Sequence, residues 1–217
     1  MEVVYGKRAV AEAKRGRRKV HRVWEAPGTP AAELERRAGS PDHQGIVAEV
    51  DSYPYADPGS LVEAEDALVL VLDQIQDPHN LGAACRAAEV AGATGVVIPK
   101  RRAVAVTPAV CKASAGAVEH LPVARVGNVA DWLAEAKRAG AWVYGAEAGA
   151  PTGHTDVDLK GRCVLVLGGE GGGIRPRVRD SCDALVSIPV RGKVDSLNVS
   201  VAAAVLLFEA VRQRRVE

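Results

Sequence analysis

Three loops in this 217-residue chain gather residue types that can hold a small polar ligand and handle a proton. The first is Asp77-Pro78-His79-Asn80-Leu81-Gly82, with Arg86 beyond it. The second is the turn Leu167-Gly168-Gly169-Glu170-Gly171-Gly172-Gly173, and the third runs from Ile188 to Ser196, Leu197 and Asn198. Together they offer carboxamides (Asn80, Asn198), a guanidinium (Arg86), a carboxylate (Glu170) and a hydroxyl (Ser196). Such a set can orient a substrate hydroxyl and stabilise negative charge as it develops. Each loop also has a purely structural reading. Asp77 and either Ser196 or Asn198 have the residue type of a helix N-cap, Pro78 suits the first helical position, and Arg86 would be a solvated surface charge. The glycine turn is not a dinucleotide fingerprint: counted from Gly169, the last glycine of G-x-G-x-x-G falls on Ile174, and Glu170 would repel a pyrophosphate. A phosphate cradle of the form G-x-x-x-x-G-K-[ST] does not occur, which removes the usual nucleotide-hydrolysing chemistry.

Each loop must be placed by the elements around it. Short apolar runs at 67–72, 95–98, 141–144, 163–167 and 185–188 read as strands, and they alternate with helical patterns at 81–91, 108–115, 129–139 and 199–214. In the helix at 81–91, Leu81, Ala84, Cys85, Ala88 and Ala91 form the buried stripe and Arg86 lies off its centre. Continuous apolar strands separated by helices predict an α/β fold with a parallel sheet covered on both faces. Upstream, 9–14 and 31–37 read as helices and 20–24 and 45–50 as strands. This gives a small accessory domain at 1–51, a linker at 52–66 rich in Pro and Gly, and a main domain at 67–217.

Hydrophobic residues make up 47% of the chain and aromatics 4%, so the core must be built from Val, Leu and Ala. Cys85, Cys111, Cys163 and Cys182 are far apart with no C-x-x-C pair, which argues against a zinc site and a disulfide framework and suits a reducing cytoplasm. No apolar run approaches the length of a bilayer span. The net charge is +1, but eight basic residues against two acidic ones within 1–24 give that segment +6 and leave −5 on the remainder. A compact basic cluster is the footprint of phosphate binding, and it is equally the solvated face of a helix.

In order and spacing, N-L-G-x-x-x-R, L-G-G-E-G-x-G and the Ile188-Pro189 … Ser196-Leu197-Asn198-Val199-Ser200 segment resemble the three motifs of the SpoU/TrmH family of RNA ribose 2′-O-methyltransferases. Val4-Tyr5-Gly6 and His43-Gln44-Gly45-Ile46 are similar to the branch that modifies a guanosine of 23S ribosomal RNA. The resemblance implies a C-terminal trefoil knot, a homodimer joined near 81–91 and 199–214, and no need for a metal. It implies S-adenosylmethionine held bent between the turn at 168–173 and the loop at 188–198. Leu167, Gly168, Ile188 and Leu197 are then cofactor contacts, with Gly145 and Ala146 at the end of an earlier strand. Arg86 would activate the ribose hydroxyl, more plausibly by stabilising the alkoxide than by taking its proton, since a guanidinium is a reluctant base. Asn80 and Asn198 would orient the ribose and Arg86, Glu170 would pair with Arg86 or backbone donors, and Ser196 would shape the cofactor loop. Lys14, Arg15, Arg17 and Arg18 would contact RNA phosphates. Replacing Gly168 by Val is expected to block the cofactor and spare the fold. The accessory domain is shorter than the resemblance implies, lacking a strand and helix before His43. A transfer RNA substrate, or a non-catalytic RNA-binding or ribosome-assembly module, are the alternatives.

Overall fold

A computed structural model describes residues 1–169 and 171–215. The chain opens with β1 (Glu2–Tyr5), α1 (Lys7–Ala13), β2 (Val20–Glu25), α2 (Ala31–Ala38) and β3 (Ile46–Val50). These strands form an antiparallel sheet in the order β1-β3-β2. From α2 only residues 39–45 lead into β3, so this part is a two-helix, three-stranded layer without the extra strand and helix. The second part holds β4 (Leu68–Asp73), α3 (Pro78–Val90), β5 (Gly95–Pro99), α4 (Pro108–Ala113), β6 (Val123–Val126), α5 (Val129–Arg138), β7 (Trp142–Ala146), β8 (Thr152–Gly153), β9 (Cys163–Gly168), α6 (Pro176–Arg179), β10 (Ala184–Ser187) and α7 (Val199–Arg214). Its seven strands run parallel in the order β6-β5-β4-β9-β7-β10-β8.

The apolar runs are continuous because both faces of this sheet are covered. In β4, Leu68, Leu70 and Leu72 enter one core with α3, α4 and α7, whereas Val69 and Val71 enter the opposite core with Val129, Trp132 and Leu133 of α5 and Val178 of α6. Helix α3 begins at Pro78, three residues before the apolar stripe, since Asp77 caps it by accepting from the His79 N–H at 3.0 Å. Sequence patterning misses β1, β6 and β8: β6 is a four-residue sheet edge and β8 has two residues, too short to show a period. Among the described residues no helix is long and apolar enough to cross a membrane.

Residues 52–66 are packed, not a free tether. Tyr53 is buried and its hydroxyl donates to the Val118 carbonyl at 2.9 Å, the Ala56 N–H donates to Val123 O at 2.9 Å, and Leu61 and Val62 are buried. One apolar core therefore runs from Val4, Val10 and Ala48 through Tyr53 to Leu70 and Leu206.

The basic cluster between α1 and β2 is also put to use internally. Arg18 is 5% exposed and bonds Glu119 through two nitrogens and Glu2 at 3.1 Å. Burial works against its charge, yet the hydrogen bonds to Glu119 more than offset this and raise its pKa above the usual arginine range. Arg17 donates to the carbonyls of Leu121 at 2.9 Å and Glu119 at 3.3 Å. Arg18, buried against Glu119, is therefore not placed to meet a phosphate, whereas Arg17 is exposed while also bonding the segment after α4. Of the four expected contacts, Lys14, Arg15 and Arg17 are exposed, and Arg15 pairs with Glu12 at 3.2 Å.

Candidate active site

Because the strands are parallel, every loop that follows one emerges at a single edge of the sheet. A cleft of about 570 Å³ opens there, lined by Leu167 and Gly168 at the end of β9 with Gly173 beyond, Ala146 at the end of β7 with Glu147 beyond, and the loop from Ile188 to Asn198 after β10. The volume is that of an ordinary small-molecule site. Its floor is apolar (Val186, Ile188, Leu167, Val199), and Glu147 and Asp195 add carboxylates at the rim.

The turn after β9 owes its shape to close backbone contact. A Cβ on Gly168 would lie 1.9 Å from the Gly173 carbonyl carbon, and one on Gly169 would lie 2.8 Å from the Gln74 carbonyl oxygen. Nothing but glycine fits either place. The turn is pinned at its end by Arg175, which grips the fully buried Asp73 carboxylate at 2.6 and 3.0 Å and donates its own backbone N–H to the same group at 3.2 Å. This pair was not singled out in the sequence. Its signal is an acidic residue closing the apolar run of β4 and an arginine just after the glycines. The fold-sparing expectation for Gly168→Val is thereby overturned, because the added atoms would meet backbone and not an empty pocket. Even Gly168→Ala should abolish cofactor binding measured by calorimetry and destabilise the protein by about 1–3 kcal/mol, a drop of several degrees in Tm.

Asn198 fulfils both readings at once. It is the N-cap of α7, accepting from the Ser200 N–H at 2.9 Å and the Ser200 hydroxyl at 2.7 Å, while its amide nitrogen donates to Asn80 Oδ1 at 2.9 Å. The first turns of α3 and α7 are thus joined beside the cleft. Ser196 is exposed at the cleft wall, its hydroxyl 3.3 Å from Asp195 Oδ1, and does not cap the helix. Behind Asn80, Gln74, Ile75, Gln76 and Asp77 enclose a crevice of about 300 Å³.

Of the expected cofactor residues, Leu167, Gly168, Ile188, Leu197 and Ala146 line the cleft. Gly145 does not. It is buried within β7, and a Cβ there would be 2.9 Å from both Cys182 Sγ and Leu185 Cδ2, so glycine serves strand packing at that position. Gly82 of the first motif is likewise a packing residue, with its missing Cβ 2.5 Å from that of Ala113 on α4. Glu170 lies outside the described residues. Arg86 is exposed on α3, does not line the cleft and among the described residues makes no ion pair. Burial pushes the thiols of Cys85, Cys111, Cys163 and Cys182 up to about 12, so none is a thiolate nucleophile at neutral pH.

Residues 67–208 match the family model described as the SpoU rRNA Methylase family. The chain is 41% identical, over 98% of its length and 96% of the relative's, to the putative TrmH family tRNA/rRNA methyltransferase YacO of Bacillus subtilis. That alignment spans 239 residues, more than this chain has, so the relative carries segments this chain lacks. It is 48% identical, over 83% of this chain and 75% of the relative, to the 23S rRNA (guanosine-2′-O-)-methyltransferase RlmB of Xylella fastidiosa. Among solved structures it is similar to the SpoU methyltransferase AviRb of Streptomyces viridochromogenes in complex with the cofactor AdoMet. The TM-score is 0.81 and the identity 29%, over 98% of this chain and 89% of that one.

Proposed function

Because the chain belongs to the SpoU rRNA methylase family, we propose that it methylates the ribose 2′-hydroxyl of a guanosine in 23S ribosomal RNA, with S-adenosylmethionine as methyl donor. The observation that carries this reading is the cleft itself. Its glycine turn exposes backbone with no side chain in the way, its floor is apolar enough for an adenine, and the carboxylate of Asp195 suits a ligand carrying positive charge, Glu147 being paired with Arg179. The cofactor supplies an electrophilic methyl group. This chain's own residues then have to hold the ribose and stabilise its oxygen as the proton leaves. The Asn80–Asn198 pair, next to the cleft, is placed to hydrogen-bond the ribose, and Arg86 supplies the positive charge for the alkoxide. Glu170 and Ser196 remain in the roles proposed for them, pairing and loop shaping. The threading of the 188–198 loop past the 168–173 turn, a trefoil knot, is supported by the strand order, in which β10 lies beyond β7 while α7 returns to pack on α3.

A second copy of the chain completes this picture. Arg86 follows Asn80 by six residues, which places it about 9 Å along α3 and about 120° around it. Val90 lies one turn beyond Arg86 and is 63% exposed, and on the neighbouring α7 Val201 and Phe208 are exposed to 48% and 46%. A homodimer pairing α3 and α7 would cover these apolar residues and bring Arg86 of one protomer to the cleft of its partner.

Labelled S-adenosylmethionine incubated with unmodified total RNA, with a chelator present, should place one methyl group on a ribose of 23S ribosomal RNA. Label recovered in transfer RNA instead would replace the substrate, and binding lost with the chelator would contradict the metal-free site.

A further inference from the structure

The edge of the sheet that carries the cleft continues past β4 to β5 and β6, and there it changes chemistry. Lys100, Arg101 and Arg102 follow β5 directly, all three exposed, and Arg125 lies next to the end of β6. Among the described residues none of these four makes an ion pair. Elsewhere the arginines are largely engaged: Arg18, Arg37, Arg175, Arg177, Arg179 and Arg212 each grip a carboxylate. The basic loop is also held in place. Val104 N–H donates to the Ile75 carbonyl and Val106 N–H to the Tyr55 hydroxyl, both at 2.9 Å, while Arg125 donates to the Lys100 carbonyl at 2.9 Å and stacks 5.2 Å above the Tyr55 ring. Arg125 Nε is enclosed and, among the described residues, has no hydrogen-bond partner. Arg102 takes a left-handed backbone conformation at φ 58°, which turns the chain at the strand end.

These contacts form a continuous path. The cleft reaches Asn198, Asn198 binds Asn80, Asn80 closes the crevice of Gln74 to Asp77, and Ile75 of that crevice anchors the basic loop. With strands about 4.8 Å apart, β5 lies two strands, or about 10 Å, from β9 along the edge. Phosphate diesters are recognised by unpaired guanidiniums and ammoniums presented in a row, and a carboxylate-free stretch keeps them available. We propose that Lys100, Arg101, Arg102 and Arg125 form the phosphate-binding track for the nucleotides flanking the target, guiding the RNA strand along the sheet edge into the cleft. This rests on the RNA-methylating reading above. It locates the main phosphate contacts on the catalytic layer, whereas the buried Arg18 in the first layer serves the fold.

The test is filter binding of an unmodified 23S ribosomal RNA transcript across a salt series. The Arg101→Ala/Arg102→Ala variant is compared with a control of equal charge loss, Arg138→Ala/Lys160→Ala, whose residues are exposed at the opposite edge of the sheet, before β7 and β9. The first variant should bind at least about tenfold more weakly at moderate salt. Its log–log salt slope should be shallower by about one unit per lost contact. Its cofactor affinity by calorimetry should equal that of wild type. Equal RNA binding by variant and control would overturn the track. A wild-type protein that binds cofactor and ignores the transcript would instead overturn the RNA-methylating reading, and the track with it.

Discussion

Arg86→Ala should lower the single-turnover methyl-transfer rate by at least about a hundredfold, the usual scale for losing one preorganised charge at a developing oxyanion. Affinity for S-adenosylmethionine should stay near that of wild type, because Arg86 does not line the cleft. A merely structural arginine would not show this split, since α3 is held by Leu81, Ala84, Cys85 and Ala88 on its other side. The proposed dimer makes a sharper version possible. An Asn198→Ala protomer keeps Arg86 and loses the amide proposed to orient the ribose. Refolded in equal amounts with Arg86→Ala protomers, half the dimers are mixed, and each mixed dimer carries one intact site if Arg86 acts across the interface. About a quarter of the wild-type rate should then return. No recovery would place Arg86 in the cleft of its own chain, and a wild-type rate for Arg86→Ala alone would remove it from the site.

The largest effect on stability is expected at the Arg18–Glu119 pair. Both side chains are about 1% exposed, so Glu119→Ala leaves a buried guanidinium with Glu2 as its one remaining carboxylate. Removing one partner of such a pair destabilises by about 3–5 kcal/mol. At about 2–4 °C of Tm per kcal/mol for a chain of this size, the melting point should fall by roughly 6–20 °C. Replacing both residues together, Arg18→Met with Glu119→Leu, should return most of that stability, because the double change leaves no uncompensated charge. Thermal melts of the two variants decide the matter. If Glu119→Ala melts within a degree of wild type, the contact is not buried in solution.

The sheet was largely legible in the sequence because strands covered on both faces are written as uninterrupted apolar runs. Val164, Leu165 and Val166 announce β9 whichever face each occupies. The sheet edges were not legible, since a four-residue strand such as β6 has no room to display a period. Five of the six cofactor positions fell on the cleft because strand-end loops are fixed by the parallel topology, and Gly145 missed because a glycine demanded by packing looks the same in sequence as one demanded by a ligand. Arg18 of the basic cluster misled for a related reason. Charge can be counted from the chain, but whether an arginine meets solvent or a buried carboxylate 101 positions away depends on tertiary structure. The Asp73–Arg175 clamp, spanning 102 positions, stayed hidden for the same reason.

The strand order has a further consequence for how the molecule is made. β4, at the middle of the sheet, pairs on one side with β5, which follows it closely, and on the other with β9, where Leu68 faces Cys163. A ribosome adding about 5–20 residues per second needs roughly 5–20 s to produce the ~95 residues that separate the two. Through that interval Leu-Val-Leu-Val-Leu stands on the nascent chain with one backbone edge open, the kind of edge that recruits other strands. Safe synthesis of this protein therefore depends on shielding β4, by the ribosome surface or a chaperone, until its second neighbour emerges.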